Sequence, residues 1–418
     1  MRVLLLNQAF YPDVVSTAQY STELAVELLK RGHDVTVIAG ARGYDNPELR
    51  FDERECWQGI RIERVKGLAL GKSTRWRRAV DFASFMMACA IRLFGVGKPD
   101  VVIALTSPPL ISFLAALYSK LRGCRYVFWV MDLNPDEAVA AGWLRQGSIV
   151  ERILSQLLRF SLTQAERIVV LDRFMCDRLE AKGVAPSRLA VIPPWSHDEV
   201  AFDSRGRDSF REHHDLTGKF VVMYAGNHSP CHPLDTLLRA AKRLKDHREI
   251  AFCFVGGGSE FPKVAAFARE HGLENIRCIG YQPIEELSRL LSAADLQVVL
   301  MGDAFVGLVH PSKIYNILAV ARPVLYVGPD TSHVSDILDA AEPCDLRSVQ
   351  VRHGEDANAA EYILQAVNAA STARFGAPTG MVQAHHMKSL LPKLVSVLES
   401  AHSSAEACYR APELTSLE

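Results

Sequence analysis

Short runs of apolar residues alternate with helix-like segments along most of this chain. The segment 17–31 is an example of the second kind, because its apolar residues recur at the spacing of one helix face. Continuous apolar strands separated by helices are typical of a parallel sheet covered on both faces. In the first half the predicted strands are 3–7, 34–39, 60–65, 101–105, 126–131, 168–171 and 189–192. This pattern predicts a Rossmann-like α/β domain.

The pattern restarts after a polar stretch, 196–218, that is rich in Asp, Arg and His. A second predicted sheet then follows, with strands at 220–225, 251–255, 276–279, 296–300 and 324–327. The sequence therefore predicts an α/β protein with two Rossmann-like domains whose parallel sheets face each other across a cleft. The expected boundaries are a first domain at 1–195, a linker at 196–218, a second domain at 219–380, a last amphipathic helix at 381–402 and a disordered tail at 403–418.

The composition narrows the class of protein. The 418 residues include 47 basic and 48 acidic residues, and the net charge of -1 gives no general attraction to nucleic acid or to a membrane. The nine cysteines form no CxxC pair, which favours small core residues in a reducing compartment. The first residues are predicted to form a short buried strand, so we expect no export signal there. We expect a cytoplasmic enzyme without nucleic acid as a partner.

The segment 307–315 joins the strand 296–301 to the next predicted helix. Ser312 and Lys313 lie where a helix is predicted to begin. The N–H groups of a helix start and a lysine ammonium both favour an anion. The segment predicts a phosphate site and suggests a diphosphate-bearing substrate.

Three more loops follow strands of the same predicted sheet. In open α/β sheets, ligands lie outside the carboxyl ends of the strands. Each loop alone is also compatible with a plain turn, but their convergence with Lys313 is more specific than any one of them. The candidate residues in these loops are Gly226, Asn227, Gly257, Gly258, Tyr281 and Gln282.

Two histidines, His228 and His232, have the i, i+4 spacing of helical metal ligands. Pro230 and Pro233 make a helix through them implausible. We therefore expect no zinc site there.

The first domain offers candidates at two strand ends. Ser16 and Thr17 follow the first strand without a GxGxxG motif, which counts against a dinucleotide-dependent oxidoreductase. They either cap a helix or line the expected cleft. Asp132 follows the strand 126–131 and either caps a turn or positions and deprotonates an acceptor hydroxyl. Asp136 either caps the next helix or lies on the acceptor side.

Seven motifs occur in order along the chain: Asn7-Gln8 with 10–13, Arg31-Gly32-His33-Asp34 with 35–37, Thr106-Ser107-Pro108-Pro109-Leu110, Trp129-Val130-Met131-Asp132-Leu133-Asn134-Pro135-Asp136, Gly226-Asn227, Gly256-Gly257-Gly258 and Pro311-Ser312-Lys313-Ile314-Tyr315. The set resembles the GT4-type retaining glycosyltransferases of the GT-B fold. Within them it resembles the subgroup that builds bacterial surface polysaccharides such as colanic acid and O-antigen. The likeness runs from residue 1 to about residue 336.

The resemblance implies a nucleotide-diphosphate sugar, most simply a UDP-sugar, as a substrate rather than a cofactor. It implies transfer of a hexose or N-acetylhexosamine, with retention of configuration and without a metal, to a lipid-linked or growing glycan acceptor. The second domain would hold most of the donor and the first domain the acceptor. The donor-binding residues would be Ser16, Thr17, Gly226, Asn227, Gly257, Gly258, Tyr281, Gln282, Ser312, Lys313 and Asn316; the catalytic ones Asp132 and Lys313; and Asp136 would lie beside the acceptor.

The chain departs from the family pattern at several positions. The broader family often has two glutamates spaced eight apart, and here they correspond to Leu308 and Asn316. An amide can still hydrogen-bond a ribose hydroxyl, without the charge-assisted bond of a carboxylate. The arginine expected after Gly226-Asn227 is missing, and a glutamate of the subgroup corresponds to His333. These changes affect donor identity and activity rather than the fold.

Three alternatives stay open at this level. A sugar-nucleotide epimerase can share the two-lobed fold but consumes no acceptor, and a degenerate nucleotide-sugar binding protein would explain the missing residues. The segment 73–92 is either a core helix or a peripheral membrane contact, because its apolar body follows a basic start. That contact would be made by Arg75, Trp76, Arg77 and Arg78.

Overall fold

The computed structural model describes residues 1–44, 48–68, 75–340, 348–369 and 379–402, with side chains from residue 80 onward in the third range. The chain forms two compact units. Unit 1 contains Met1–Pro193 and the chain from Leu391 onward, and unit 2 contains Pro194–Leu390.

Unit 1 is built on an eight-stranded sheet with helices between the strands. The strand order is β3-β4-β2-β1-β5-β6-β7-β8, and every pairing is parallel except that of β3 with β4. The strands are β1 (Arg2–Leu6), β2 (Asp34–Gly40), β3 (Arg54–Trp57), β4 (Ile60–Val65), β5 (Val101–Ala104), β6 (Arg125–Trp129), β7 (Arg167–Val170) and β8 (Leu189–Val191). The helices are α1 (Ser16–Lys30), α2 (Arg75–Gly95), α3 (Ile111–Arg122), α4 (Asp136–Ala140), α5 (Ile149–Gln164) and α6 (Arg173–Ala181).

Unit 2 is built on a six-stranded sheet in which every pairing is parallel. The strand order is β11-β10-β9-β12-β13-β14. The strands are β9 (Phe220–Asn227), β10 (Ile250–Gly257), β11 (Ile276–Ile279), β12 (Leu296–Leu300), β13 (Val324–Val327) and β14 (Val349–Val351). The helices are α7 (Ser204–His213), α8 (Asp235–Arg243), α9 (Phe261–His271), α10 (Leu287–Ser292), α11 (Lys313–Ala319), α12 (His333–Asp339), α13 (Asp356–Ala369), α14 (Thr379–Ala384) and α15 (Met387–His402). The last of these, α15, ends in unit 1.

The central strands are apolar throughout because both faces of each sheet are covered. In β10, Phe252 and Phe254 belong to the core on one face, while Cys253 and Val255 belong to the core on the other. Successive side chains of a strand point to opposite faces, so a strand buried on both sides cannot alternate with polar residues. The two parallel-sheet domains of the predicted fold class are therefore confirmed.

The strand order of each sheet reverses at one point. In unit 1 this point lies between β1 and β5, and in unit 2 it lies between β9 and β12. Loops on the two sides of such a point leave the sheet in opposite directions and open a crevice at the carboxyl ends of the strands. In unit 2 this crevice receives the loop after β9 and the loop between β12 and α11.

The predicted linker 196–218 differs from the observed structure. It contains α7, whose N-terminus is capped by Asp203 through a bond from the Gly206 amide at 2.9 Å. Phe210 and Leu216 are buried in the core of unit 2, on the face of the sheet opposite α8. Two apolar anchors in an otherwise polar stretch were too few to indicate a packed helix.

The predicted helix 381–402 is also corrected, because it is divided into α14 and α15. The backbone of Ser196 forms a bridge beside His386, with its amide bonded to the His385 carbonyl at 2.9 Å and its carbonyl to the Met387 amide at 3.3 Å. These bonds take backbone groups that a continuous helix would use. From Leu391 the chain belongs to unit 1, where Glu399 bonds the His33 ring at 3.0 Å.

The predicted membrane contact lies at the start of α2. Within the described ranges, no helix has both the length and the apolar character needed to cross a bilayer. The side chains of Arg75, Trp76, Arg77 and Arg78 lie outside the described residues, so their contact with a membrane stays a prediction. The tail 403–418 lies outside them as well.

Candidate active site

The glycines after β9 and β10 hold two strand ends close together. Gly226 pairs with Gly256 and Asn227 with Gly257 in the parallel register of the sheet. Gly256 has φ of 123°, and a Cβ there would come within 2.2 Å of the Gly226 carbonyl oxygen. Only glycine fits such an approach. The arrangement leaves backbone, rather than side chains, at the floor of the site.

Lys313, the first residue of α11, extends its ammonium into this floor. Its Nζ lies 3.6 Å from the centre of the Tyr224 ring, and a Cβ on Gly226 would stand 3.0 Å from it. Nζ is buried and has no hydrogen-bond partner among the described residues. Burial lowers the pKa of Lys313 to about 7. An incoming anion would supply both the hydrogen-bond acceptors and the counter-charge that this group lacks.

His228 lies on the same aromatic ring. Its ring contacts Tyr224 edge-on, with 4.8 Å between centroids, and Phe261 at the same separation. Its Nδ1 lies 3.0 Å from the Gly226 carbonyl oxygen and 3.3 Å from that of Gly257. Burial, and then the charge of Lys313, lower the pKa of His228 to about 4.

His232 completes this group of basic side chains. Its Nδ1 lies 2.8 Å from the carbonyl oxygen of Leu300, the last residue of β12. Burial, and then the charge of Lys313, lower its pKa to about 3. His228 therefore contacts the carboxyl ends of β9 and β10, and His232 contacts that of β12. From the sequence the two histidines were weighed only as a metal pair, because their spacing gives no sign that both approach Lys313.

Tyr281 provides an aromatic surface at one side of the site. A Cβ on Gly257 would come within 2.7 Å of its ring, so glycine allows the ring to lie against the backbone. Tyr281 is 50% exposed. An exposed ring beside a glycine loop can stack with a planar group. Gln282 bonds the Gly280 carbonyl oxygen at 3.1 Å, so its amide is engaged locally.

Two other predicted donor residues have structural contacts of their own. Asn316 lies one turn after Lys313 on α11, and its Oδ1 accepts a bond from the His197 amide at 3.1 Å. Ser312 is half-buried and directly precedes the helix, but it makes no capping bond. Gly258, with φ of 121°, packs against Asn227 and His228. These positions stay predicted ligand contacts.

In unit 1, Asp132 lies just beyond the end of β6. The side chain of Asp132 keeps some exposure to solvent, but the surrounding protein removes most of its hydration. This burial, and secondly the charge of the nearby Glu137, raise the pKa of Asp132 to about 8. Glu137 itself accepts a bond from the Asn134 amide at 2.8 Å. A carboxyl whose pKa lies near physiological pH can exchange a proton with a substrate.

The remaining candidates of unit 1 are at helix starts. Val15, not Ser16 or Thr17, occupies the cap position of α1, and no side chain caps this helix. Asp136 is the first residue of α4, after Pro135, and its Oδ1 accepts a bond from Lys182 at 2.7 Å. The helix-cap alternative is therefore wrong for these three residues, and their ligand roles stay predictions.

Two family profiles match the chain, one to each unit. Residues 17–195 match the glycosyl transferase 4-like domain, and residues 206–325 match glycosyl transferases group 1. The chain is a glycosyltransferase with one domain of each kind. The Lys313 site lies in the group 1 domain and Asp132 in the 4-like domain.

Curated relatives and solved structures agree with this family. WbjE of Pseudomonas aeruginosa, named as a glycosyltransferase, is 26% identical over 81% of this chain and 83% of its own length. WcaI of Escherichia coli K12, named as a colanic acid biosynthesis glycosyl transferase, is 26% identical over 77% and 81%. Sucrose-phosphate synthase from Thermosynechococcus elongatus matches 97% of this chain and 100% of its own, with a TM-score of 0.74 at 14% identity. Anabaena HepE in complex with UDP-glucose matches 96% and 100%, with a TM-score of 0.68 at 14% identity. The GT-B fold is therefore confirmed.

Proposed function

We propose that this glycosyltransferase moves a sugar from a nucleotide-diphosphate sugar, most simply a UDP-sugar, to a lipid-linked or growing surface-polysaccharide acceptor with retention of configuration. The observation that carries the proposal is the buried Nζ of Lys313, which has no hydrogen-bond partner among the described residues. A diphosphate provides acceptor oxygens and negative charge at such a site. HepE, of similar fold, has been solved with UDP and with UDP-glucose.

The donor fits the arrangement of unit 2 as follows. The diphosphate binds Lys313 at the carboxyl ends of β9 and β12, where glycine backbone allows close approach. The base stacks on Tyr281, which lies against Gly257, and the ribose lies toward Asn316. In this arrangement the base, the ribose and the diphosphate lie along the edge of the sheet, and the sugar lies past Lys313.

The reaction needs stabilisation of the leaving diphosphate and a base for the acceptor. The bond between the anomeric carbon and the diphosphate oxygen breaks, and the charge that develops on that oxygen is neutralised by Lys313. The acceptor oxygen bonds to the anomeric carbon, and its proton passes to Asp132, whose raised pKa makes its carboxylate a stronger base. Asp136 lies on the acceptor side. These residues complete the transfer without a resident cofactor or metal.

The cellular place of the reaction is part of the same proposal. We place the enzyme in the cytoplasm at the inner face of the membrane, where a lipid-linked acceptor is available. On α2, Met87, Ile91 and Phe94 are 63%, 69% and 56% exposed and share one face of the helix. This apolar stripe follows the basic start of the same helix, a combination suited to anionic lipid.

The test combines a binding screen with product analysis. Nucleotide-sugars are screened for thermal stabilisation, because a ligand at 100 times its dissociation constant adds about 2.7 kcal/mol to the free energy of unfolding. The stabilising donor is then incubated with and without a lipid-linked glycan, and products are identified by mass. The proposal predicts a nucleoside diphosphate and a glycan longer by one sugar. A changed sugar without acceptor would indicate an epimerase, and stabilisation without turnover a binding protein.

A further inference from the structure

The site around Tyr224 brings together basic side chains without an acidic partner. Lys313 stands over the face of the ring, and His228 stands at its edge. Among the described residues, no carboxylate lies close enough to shift the pKa of either group. The titratable side chains that face them are Tyr224 from β9, Cys231 and His232 from the loop after it, and Tyr281 from the loop after β11. Burial raises the pKa of Tyr224 and lowers that of His232, so both side chains are neutral at physiological pH.

The hydrogen bonds of His228 determine which ring nitrogen carries its proton. Both partners of Nδ1 are carbonyl oxygens, those of Gly226 and Gly257, and a carbonyl only accepts. Nδ1 therefore carries the hydrogen in the neutral ring, and Nε2 has only a lone pair. Nε2 is buried and has no partner among the described residues. In this state it would repel a phosphate oxygen, and it can bind one only after taking up a proton.

The charged form of Lys313 also lacks hydrogen-bond acceptors among the described residues. Its ammonium form would leave donor hydrogens without acceptors beside the Tyr224 ring, whose attraction for a cation offsets only part of that cost. The neutral amine is thus favoured while the site is empty. When a diphosphate arrives, the charged forms of both residues gain acceptors and counter-charge at once.

We propose that this site takes up protons together with the donor: at pH 8, Lys313 and His228 are largely neutral in the free enzyme, and both become charged as the diphosphate binds. His228 then donates from Nε2 to a phosphate oxygen and acts as the second cation that this chain lacks after Gly226-Asn227. The inference rests on the proposed function, since it assigns a regulation by pH to the proposed diphosphate site.

The proton count is measured by titrating the full-length enzyme with UDP in a calorimeter. At each pH, two buffers with different ionisation enthalpies are used, and the difference in observed heat gives the protons taken up. At pH 8 we expect an uptake of about one proton from Lys313, whose pKa is about 7 in the free enzyme, plus the contribution of His228. At pH 6 Lys313 is already charged. The terminal phosphate of UDP itself titrates near pH 6, at a pKa of about 6, so the protons that UDP releases are added back to the measured uptake, and what remains belongs to His228.

A variant separates the two residues. In His228→Asn the amide can still donate to the Gly226 carbonyl, but the titrating Nε2 is gone. We expect it to bind UDP more weakly and to take up almost no protons at pH 6, while it keeps the lysine proton at pH 8. The matched control is His247→Asn, an exposed histidine paired with Glu249, which should keep the wild-type proton count.

The outcomes are distinguishable. Binding of UDP with no proton uptake by the wild-type enzyme at either pH overturns the inference and leaves the proposed function intact, and this result needs no variant. Equal proton uptake by the wild-type enzyme and His228→Asn at pH 6 would show that His228 is not one of the residues that take up a proton, and would overturn its part of the inference. No binding of UDP, ADP or GDP at any pH overturns both the inference and the proposed function.

Discussion

Replacing Lys313 with methionine should stabilise the ligand-free enzyme. Methionine keeps an unbranched side chain as far as Cε and removes the ammonium that is buried over the Tyr224 ring. A pKa lowered from 10.5 to about 7 corresponds to a free-energy difference of roughly 5 kcal/mol between the two protonation states. This value is an upper limit for the cost of burying the charged form. Relaxation and water entry reduce this cost, so we expect a gain of about 2 kcal/mol at pH 6.

The pH dependence provides the sign of the effect. The pKa of Lys313 is lower in the folded state than in the unfolded state, so between these two values the unfolded chain binds more protons. This contribution destabilises the wild-type enzyme most below pH 7 and disappears as the pH rises toward 10.5. The stability advantage of Lys313→Met should therefore be largest at pH 6 and small near pH 10.

The assay is thermal unfolding of both proteins from pH 6 to pH 10 without ligand. For a unit of this size, about 2 kcal/mol corresponds to a Tm increase of about 5 °C at pH 6. Lys242→Ala, which removes an exposed lysine of α8, is the control and should not change the pH dependence. If Lys313→Met is less stable than the wild-type enzyme across the whole range, the ammonium is not desolvated and the reasoning is refuted.

Three further results are expected. In Asp132→Asn, transfer should fall at least about 100-fold while UDP binding is kept. The raised pKa of Asp132 predicts that kcat of the wild-type enzyme at saturating donor rises toward pH 8, and the variant should lose this rise. An unchanged kcat would exclude Asp132 as the base. In Tyr281→Ala, the affinity for UDP should fall by about tenfold, as for the loss of one stacking contact, while the affinity for pyrophosphate stays constant. Equal losses of affinity for UDP and pyrophosphate would place the uracil ring elsewhere. Replacing Arg75, Trp76, Arg77 and Arg78 together with alanine should reduce sedimentation with anionic vesicles, and unchanged sedimentation would remove the membrane contact.

Much of the fold was predictable from the sequence because the buried strands of a parallel sheet are continuously apolar. The strands β9, β10 and β12 were identified from this feature alone. The edge strands β3 and β14 were missed, because Arg54–Trp57 and Val349–Val351 are short and only partly buried. The helix α7 was missed for a related reason, since only a few of its residues are buried.

The candidate site was predictable in position but not in its electrostatics. The rule that ligands lie at the carboxyl ends of strands brought Gly226, Gly257, Tyr281 and Lys313 together, and the structure places these loops at one edge of the sheet. The desolvation of Lys313 depends on the ring of Tyr224, which belongs to another element. The approach of His228 to the same ring depends on carbonyl groups of two strands. Neither contact has a signal in local sequence spacing.

The most direct test of the account is the thermal stabilisation of the enzyme by UDP-sugars in wild-type, Lys313→Ala and Lys242→Ala proteins. At 100 times the dissociation constant of the wild-type enzyme, the wild-type and Lys242→Ala proteins should each gain about 2.7 kcal/mol. Lys313→Ala should gain almost nothing at the same concentration, because the diphosphate loses its main cation. An equal gain in Lys313→Ala would contradict the claim that Lys313 holds the diphosphate of the donor.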